Sequence, residues 1–193
     1  MAKYKNAELS KELLKNAFAE LVYEKRDISK VSVKDIIEKS TVSKSTFYTH
    51  YNNIEDLVKE ITEEFTKIFS LSLEKYIKET DGTNYMPYVN ECIDHFKEKE
   101  KYYFMLTRIN NIFYIYNDLK KSLVEIISKR DKIKFYIDDN DMTSLYLDYV
   151  LSGIVTVFYD YFSGFLKNTD LDEIAYFSQG VFTFNVVRKV IEK

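Results

Sequence analysis

Several residue types are scarce in this chain of 193 residues, and each scarcity excludes a class of protein. Gly occurs 4 times and Pro once, too few for an all-β protein with many tight turns. The single cysteine, Cys92, cannot form an internal disulfide, which favours a reducing compartment. The longest apolar stretch, residues 149–166, is interrupted by polar residues and predicts no membrane span, and the first residues lack the apolar run of a secretion signal. We therefore expect a soluble cytoplasmic protein without a membrane partner.

Apolar residues make up 46% of the chain, enough for a sizeable core, and they recur at helical spacing along most of it. The first helix is predicted to end near Lys25, and the fourth to run for about twenty-five residues from Ile54. The predicted fold class is all-α. We expect an N-terminal three-helix domain at residues 1–53, a connecting fourth helix at 54–79, and a larger helical domain at 80–193.

Capping patterns set the predicted helix starts. Ser32 is followed three residues later by an acid, Ser43 precedes a short helix to about Thr49, and Asn53 precedes the fourth helix. Another capped start follows Asp170. Breaks are expected at residues 81–84, near 99–101, near 110–111 and at 138–141, and the last two helices at about 141–166 and 171–189.

Charge is unevenly distributed along the chain. Residues 1–50 hold ten Lys and Arg against seven Asp and Glu, whereas the remainder holds eighteen against twenty-four. A basic segment on an acidic body favours an anionic partner for the N-terminal part alone. Ordinary scatter of surface charge is the alternative.

Residues 32–49 have the spacing of a helix-turn-helix, whose second helix can enter the major groove of DNA. Val42, Phe47 and Tyr51 stand at positions that pack such a unit. Cations, hydroxyls and an imidazole remain on the other face, and such groups hydrogen-bond phosphates and base edges. A small polar helix that caps a bundle is the alternative. The exposed face is predicted to carry Lys44, Ser45, Thr46, Tyr48, Thr49 and His50.

The stretch ISKVSVKDIIEKSTVSKSTFYTHYNNIEDLVKEI, residues 28–61, resembles the DNA-binding domain of the tetracycline-repressor (TetR) family. The family pattern is a Thr/Ser-Val-x-x-Ile opening, a Val-Ser-x-x-Thr-hydrophobe-Tyr-x-His-aromatic recognition helix, and an acidic-Leu start of the next helix. The chain matches all three, and the resemblance covers about residues 8–62. It implies a regulator of transcription that binds double-stranded operator DNA as a homodimer, most often a repressor released by a small-molecule effector.

Three positions depart from the family pattern. Ser40-Thr41 replace the usual Ala-Gly before the turn, so Thr41 must avoid a positive φ or accept strain. The usual glycine after the first helix is replaced near Arg26-Asp27. Ile54 stands where a lysine commonly touches a phosphate, which lowers the expected affinity and salt dependence.

The resemblance also implies roles for single residues. Lys34, Lys44, Ser45 and Thr49 are expected to read base edges. Ser32, Thr46, Tyr48 and His50 are expected to make phosphate or positioning contacts. The full predicted DNA-binding set is Ser32, Lys34, Ser43, Lys44, Ser45, Thr46, Tyr48, Thr49 and His50.

The second domain is aromatic, since the chain has 17 Tyr and 14 Phe, many of them after residue 100. Aromatic walls with a few hydroxyls suit flat, apolar or cationic ligands, but most of these rings are expected to fill the core. The last two helices carry more apolar surface than one core face can use, so they are the predicted dimer interface.

Other chemistry is sparse. Cys92 and His95 lie three residues apart but lack partner ligands, and residues 138–141 lack the Gly and distal Glu of a calcium loop. We expect no metal site, no cofactor and no enzyme, because two histidines offer little acid–base chemistry. A helical co-regulator or ligand-binding module that does not itself read DNA is the competing hypothesis.

Overall fold

The structure is a computed structural model that describes residues 2–79, 86–109, 112–128 and 140–184. Every regular element in these ranges is a helix, which confirms the all-α prediction. No helix among them is long and apolar enough to cross a membrane. The elements are α1 (Ala2–Lys25), a 3-10 turn (Ile28–Lys30), α2 (Val33–Ser40), α3 (Lys44–His50), α4 (Ile54–Glu79), α5 (Met86–Glu98), α6 (Glu100–Leu106), α7 (Ile112–Ser128), α8 (Asn140–Ser163) and α9 (Leu171–Phe184).

The chain packs as two compact units. Unit 1 comprises Met1–Phe65 and Lys99–Ile112, and unit 2 comprises Thr66–Glu98 and Phe113–Lys193. Helix α4 therefore contributes its first half to unit 1 and its second half to unit 2. The functional domain limits at residues 53 and 80 stay a prediction.

Unit 1 is built around α1, which packs against both α2 and α6. The side chains of Phe18, Ile36, Phe47 and Leu57 are fully buried, one from each of the first four helices. Burying a side chain of this size stabilises the fold by roughly 1.5–3 kcal/mol. The short helices α2 and α3 thus depend on tertiary packing rather than on their own helix propensity.

A cluster of charges joins α1 to the first half of α4. The Lys15 ammonium, with only 8% of its side chain exposed, lies 2.7 Å from one carboxylate oxygen of Glu64 and 3.5 Å from Glu60. Lys11 donates to Glu60 at 3.0 Å. This hydrogen bond raises the pKa of Lys11. Burial and the neighbouring carboxylates of Glu60 and Glu64 raise the pKa of Tyr51 far above its ordinary value. The cluster orients α4 on α1.

Helix α1 ends at a residue that the resemblance singled out. Arg26 follows the helix with φ 57, so it takes the left-handed backbone that a glycine usually adopts there. Its guanidinium lies 4.3 Å from the ring centroid of Tyr23 and 4.6 Å from that of Phe104. A glycine at this position could not make these cation–π contacts.

Unit 2 has an aromatic core. The ring centroid of Phe96 on α5 lies 5.2 Å from that of Phe69, 4.6 Å from Phe158 and 5.5 Å from Phe162. Ion pairs connect the helices at the surface, and Lys120 on α7 meets Asp148 on α8 at 2.8 Å. These four rings pack together inside unit 2, the role expected for most of its aromatic residues.

The helix ends in unit 2 follow local sequence closely. Helix α8 ends at Ser163 rather than near Leu166, because Gly164 takes φ 84 and the backbone leaves the helix there. Helix α9 begins as predicted: Asp170 accepts from the Glu173 backbone at 2.8 Å, and Glu173 accepts from the Asp170 backbone at 3.0 Å. The predicted break near 99–101 is confirmed between α5 and α6. The breaks predicted at 81–84 and 110–111, and the last helix beyond residue 184, lie outside the described residues. Of the break predicted at 138–141, residues 138–139 also lie outside them, whereas residues 140–141 already belong to α8, so the break does not extend that far.

Candidate nucleic-acid interface

The start of α2 is held by a reciprocal cap. The Ser32 hydroxyl oxygen accepts from the Asp35 backbone at 3.2 Å, and Asp35 accepts from the Ser32 backbone at 2.9 Å. Lys25 donates to the same carboxylate at 2.8 Å. The lysine and the Ser32 donors hold the pKa of Asp35 well below its usual range. The hydroxyl of the exposed Ser32 takes part in this cap. Among the described residues, the exposed Lys34 forms one ion pair, a long one of 3.7 Å with Glu38.

The turn between α2 and α3 contains a strained residue. Thr41 has φ 59 and ψ 11, left-handed values that β-branched residues rarely adopt. The sequence left two alternatives for Thr41, avoidance of a positive φ or acceptance of strain, and the structure shows the second. The buried Ser40 accepts from the Val42 backbone at 3.3 Å and so satisfies an amide of the turn. Val42 is buried, which fixes the entry of the chain into α3.

Three hydroxyls gather at the start of α3. Ser43 caps the helix by accepting from the Thr46 backbone at 3.1 Å, as predicted. Its oxygen also lies 2.9 Å from the Ser45 hydroxyl and 2.8 Å from that of Thr46. These hydroxyls form a polar surface of the kind that hydrogen-bonds phosphates.

Helix α3 has one buried side and one exposed side. Phe47 is completely buried and contacts the ring of Tyr51 at 5.8 Å between centroids, so it anchors the helix. Lys44 is exposed and makes no ion pair with any residue that the structure describes. Tyr48 is 50% exposed. Thr49 is exposed, and its hydroxyl donates to the Ser45 backbone oxygen at 2.9 Å.

His50 ends α3 and contacts the first helix. Its Nε2 atom lies 2.8 Å from the hydroxyl oxygen of Ser10. Ser10 stands forty residues earlier and does not belong to the predicted set; no local sequence signal marks it, because the contact arises from the packing of α1 on α3. The nine predicted residues all lie in unit 1, on α2, α3 and their caps. Their contact with DNA stays a prediction.

Helix α4 begins with Asn53, whose side chain accepts from the Asp56 backbone at 2.8 Å, which confirms the predicted cap. Asp56 in turn accepts from the backbone and side chain of Asn52 at 2.9 and 2.7 Å. Ile54 and Glu55 follow the cap. This first turn thus presents carboxylates and no lysine, which reduces its attraction for a phosphate.

Unit 2 contains an open groove of about 230 Å³ between α4 and α5. Phe69 and Ser72 lie on one side, and Cys92 and His95 on the other. Burial raises the pKa of the Cys92 thiol to about 12, which makes it a poor nucleophile near neutral pH. No group of three metal-ligating side chains occurs within the described ranges. The acidic run at residues 138–141 has no described side chains.

Comparison with known proteins agrees with this geometry. Residues 17–61 match the family described as bacterial regulatory proteins, tetR family. A segment of 50 residues is 38% identical to the "uncharacterized HTH-type transcriptional regulator YxbF" of Bacillus subtilis (strain 168). The match covers 26% of this chain and 13% of that protein.

Two solved structures share the fold. A TetR-family transcriptional regulator from Syntrophomonas wolfei aligns with a TM-score of 0.72 over 95% of this chain and 98% of its own. A TetR transcriptional regulator from Streptococcus agalactiae 2603V aligns with a TM-score of 0.56 over 93% and 96%. Each is 18% identical to this chain, a level at which the likeness concerns the fold alone.

Proposed function

Because residues 17–61 of this chain match the tetR family of bacterial regulatory proteins, we propose that the protein is a transcriptional repressor that binds operator DNA as a homodimer. One observation carries the proposal. Helix α3 is anchored by the buried Phe47 and turns an uncompensated lysine, Lys44, and an exposed aromatic hydroxyl, Tyr48, outward on a short helix that fits the major groove.

Within this interface, residues differ in what they can do. Lys44 and Thr49 stand on the exposed side of α3 and read base edges, together with Ser45 and Lys34. Ser32 and Ser43 are occupied by helix caps, so they place the first turns of α2 and α3 against phosphates rather than read bases. Thr46, Tyr48 and His50 complete the phosphate contacts.

Operator binding is tested with the duplex that lies upstream of the protein's own gene. Lys44→Ala should weaken binding; it should reduce the salt slope by about one unit if the lysine meets a phosphate, or relax preference at one position if it reads a base. Tyr48→Phe removes a hydroxyl contact and should weaken the free energy of operator binding by roughly 1 kcal/mol. Lys78→Ala is the matched control, since it removes an exposed lysine of unit 2. Equal affinities for all four proteins would contradict the reading role of α3 and favour a co-regulator that does not read DNA.

The dimer is proposed to form through α8 and α9. On α8, Leu145 and Tyr149 are 62% and 79% exposed, and the exposed Gly153 continues the same side one turn later. On α9, Tyr176 and Phe177 are 79% and 65% exposed. Large apolar side chains in such a patch mark an interaction surface, and Gly153, with open space around its Cα, allows close approach of a second helix.

The dimer interface is tested by sedimentation at micromolar concentration. Tyr149→Glu and Tyr176→Glu should each place a charge in the interface and shift the protein toward monomer. Phe165→Glu is the matched control, because Phe165 is 75% exposed but lies in the loop after α8. A wild-type monomer, or equal dissociation in all three variants, would contradict the proposed interface.

Release of the operator is proposed to depend on a small-molecule effector bound by unit 2. Helix α4 is continuous over 26 residues and belongs to both units, which at ~1.5 Å per residue makes a stiff element ~39 Å long. Two recognition helices must meet major grooves ~34–36 Å apart, so a small swing of α4 breaks the match. An effector that prefers one spacing shifts DNA affinity by about 1–3 kcal/mol.

Effector coupling is reciprocal and can be tested in both directions. A ligand found by thermal-shift screening should weaken operator binding, and operator DNA should weaken the ligand by the same factor. If a saturating ligand of unit 2 leaves operator affinity unchanged, the α4 mechanism is wrong. The proposal places the protein in the cytoplasm and assigns it neither a cofactor nor a catalytic activity.

A further inference from the structure

Ser10 on α1 stands between two hydrogen-bonding partners. Its hydroxyl oxygen lies 2.8 Å from the backbone oxygen of Ala7 and 2.8 Å from Nε2 of His50. Ser10 and His50 are both half-buried. The contact joins the first helix to the last residue of α3, at the end of the proposed DNA interface.

One arrangement of the protons satisfies both contacts. The Ala7 oxygen can only accept, and a serine hydroxyl has a single hydrogen, so Ser10 donates to Ala7. The Ser10 oxygen is then an acceptor toward His50, and Nε2 must carry a hydrogen. A neutral imidazole has one N–H, which leaves Nδ1 with a lone pair. No described residue makes a hydrogen bond to Nδ1.

This arrangement matters because phosphate oxygens only accept hydrogen bonds at neutral pH. A lone pair on Nδ1 repels a phosphate, whereas an N–H at that atom donates to it. We propose that Ser10 is a positioning residue of the DNA interface: by accepting from Nε2 of His50 it leaves Nδ1 to face the phosphate and makes operator binding take up one proton per half-site. The inference rests on the proposed function, and specifically on a phosphate contact by His50.

The elements around His50 carry several charged groups. The imidazole lies at the carboxyl end of α3, where backbone carbonyls favour a cation, and its ring is 6.1 Å from that of Tyr51. Lys11 and Lys15 on the neighbouring α1 are each paired with a carboxylate of α4, and Lys25 is paired with Asp35 of α2. Glu8 on α1 forms no ion pair within the described part of the chain. The charged groups on the neighbouring turns of these elements are Glu8, Lys11, Glu12 and Lys15 on α1, Lys44 on α3, and Glu55, Asp56, Lys59, Glu60, Glu63 and Glu64 on α4.

The first test is the pH dependence of operator affinity at constant salt. For the wild-type dimer, Kd at pH 8 should exceed Kd at pH 6 by about tenfold or more, because each half-site takes up a proton. Ser10→Ala frees the imidazole to carry its hydrogen on Nδ1, so the change of Kd with pH should become smaller. Ser10→Thr keeps the hydroxyl, so its Kd should change with pH as in the wild type. His50→Gln should give a flat profile, because an amide donates at every pH in this range.

A matched control is available on α4. The Thr62 hydroxyl donates to the Lys59 backbone oxygen at 2.8 Å, the same three-residue pattern as Ser10 and Ala7, but it touches no histidine. Thr62→Val should therefore leave the pH slope at the wild-type value. If Ser10→Ala fails to fold, the comparison of Ser10→Thr, His50→Gln and Thr62→Val still decides the question.

The second test needs no DNA. Long-range ¹H–¹⁵N correlation spectra at pH 8 should show hydrogen on Nε2 of His50 in the wild type and in Ser10→Thr, and a mixture of tautomers in Ser10→Ala. Hydrogen on Nδ1 in the wild type overturns the inference, as do equal pH slopes in the wild type and His50→Gln. Sequence-specific binding with a flat wild-type profile overturns this inference alone, whereas no binding at pH 6 overturns the proposed function with it.

Discussion

Replacing Thr41 by glycine should stabilise unit 1. Thr41 holds φ 59 although it is β-branched, and left-handed backbone costs an L-residue about 1–2 kcal/mol. Glycine relieves that cost but loses about 0.5–1 kcal/mol through the greater freedom of its unfolded chain. Thr41 is exposed, so no buried contact is lost. The net gain is about 1 kcal/mol, which corresponds to about 2–4 °C in Tm for a chain of this length.

Thermal unfolding by circular dichroism measures the change, and hydrogen exchange of the α2 and α3 amides assigns it to unit 1. Thr41→Ala is the control, since it keeps the Cβ atom that causes the clash and should stay close to the wild type. Arg26→Gly relieves the strain of a similar φ of 57 but removes the stacking on Tyr23 and Phe104. Its Tm should therefore rise less than that of Thr41→Gly. A Thr41→Gly protein less stable than Thr41→Ala would refute the reasoning, because the backbone at this position would then not be strained.

Three further outcomes follow from the charges and the thiol. Lys15→Met should destabilise the protein by about 1–3 kcal/mol, measured by urea unfolding, because it leaves Glu64 without its buried partner; Lys15→Met with Glu64→Leu should recover most of the loss. The pKa of Asp35 is lowered in the folded state, so its stabilisation is present above the unfolded-state value near ~4 and lost as the pH falls. Acid should therefore destabilise the wild type more steeply than Asp35→Asn below about pH 4; parallel curves would contradict this. Burial raises the pKa of Cys92 to about 12, so iodoacetamide at pH 8 should modify it at least ~100-fold more slowly than in urea, and equal rates would show an accessible thiolate.

Local signals in the sequence predicted the helix-turn-helix well. The caps at Ser32, Ser43 and Asn53 depend on residues within three positions of each other, so their pattern is visible without knowledge of the fold. The buried Phe47 follows from the same short range, because one side of a seven-residue helix must face the core.

Contacts between distant segments were not predictable in this way. Helix α6 packs on α1 within unit 1, although it follows α5 of unit 2 directly along the chain. The contact of Ser10 with His50 likewise depends on how α1 crosses α3. At Thr41 the sequence left two backbone conformations open, and the choice of the left-handed one follows from the need to bury Val42 one residue later.

Selection of bound duplexes from a random-sequence library tests the central claim most directly, because it requires no knowledge of the natural operator. The purified wild-type protein should enrich a two-fold symmetric sequence whose half-sites lie about one helical turn apart. Lys44→Ala should lose preference at matching positions in both half-sites, or weaken binding uniformly if the lysine contacts a phosphate. Failure to enrich any sequence, or the same enriched sequence at the same affinity with Lys44→Ala, would contradict a reading role for α3.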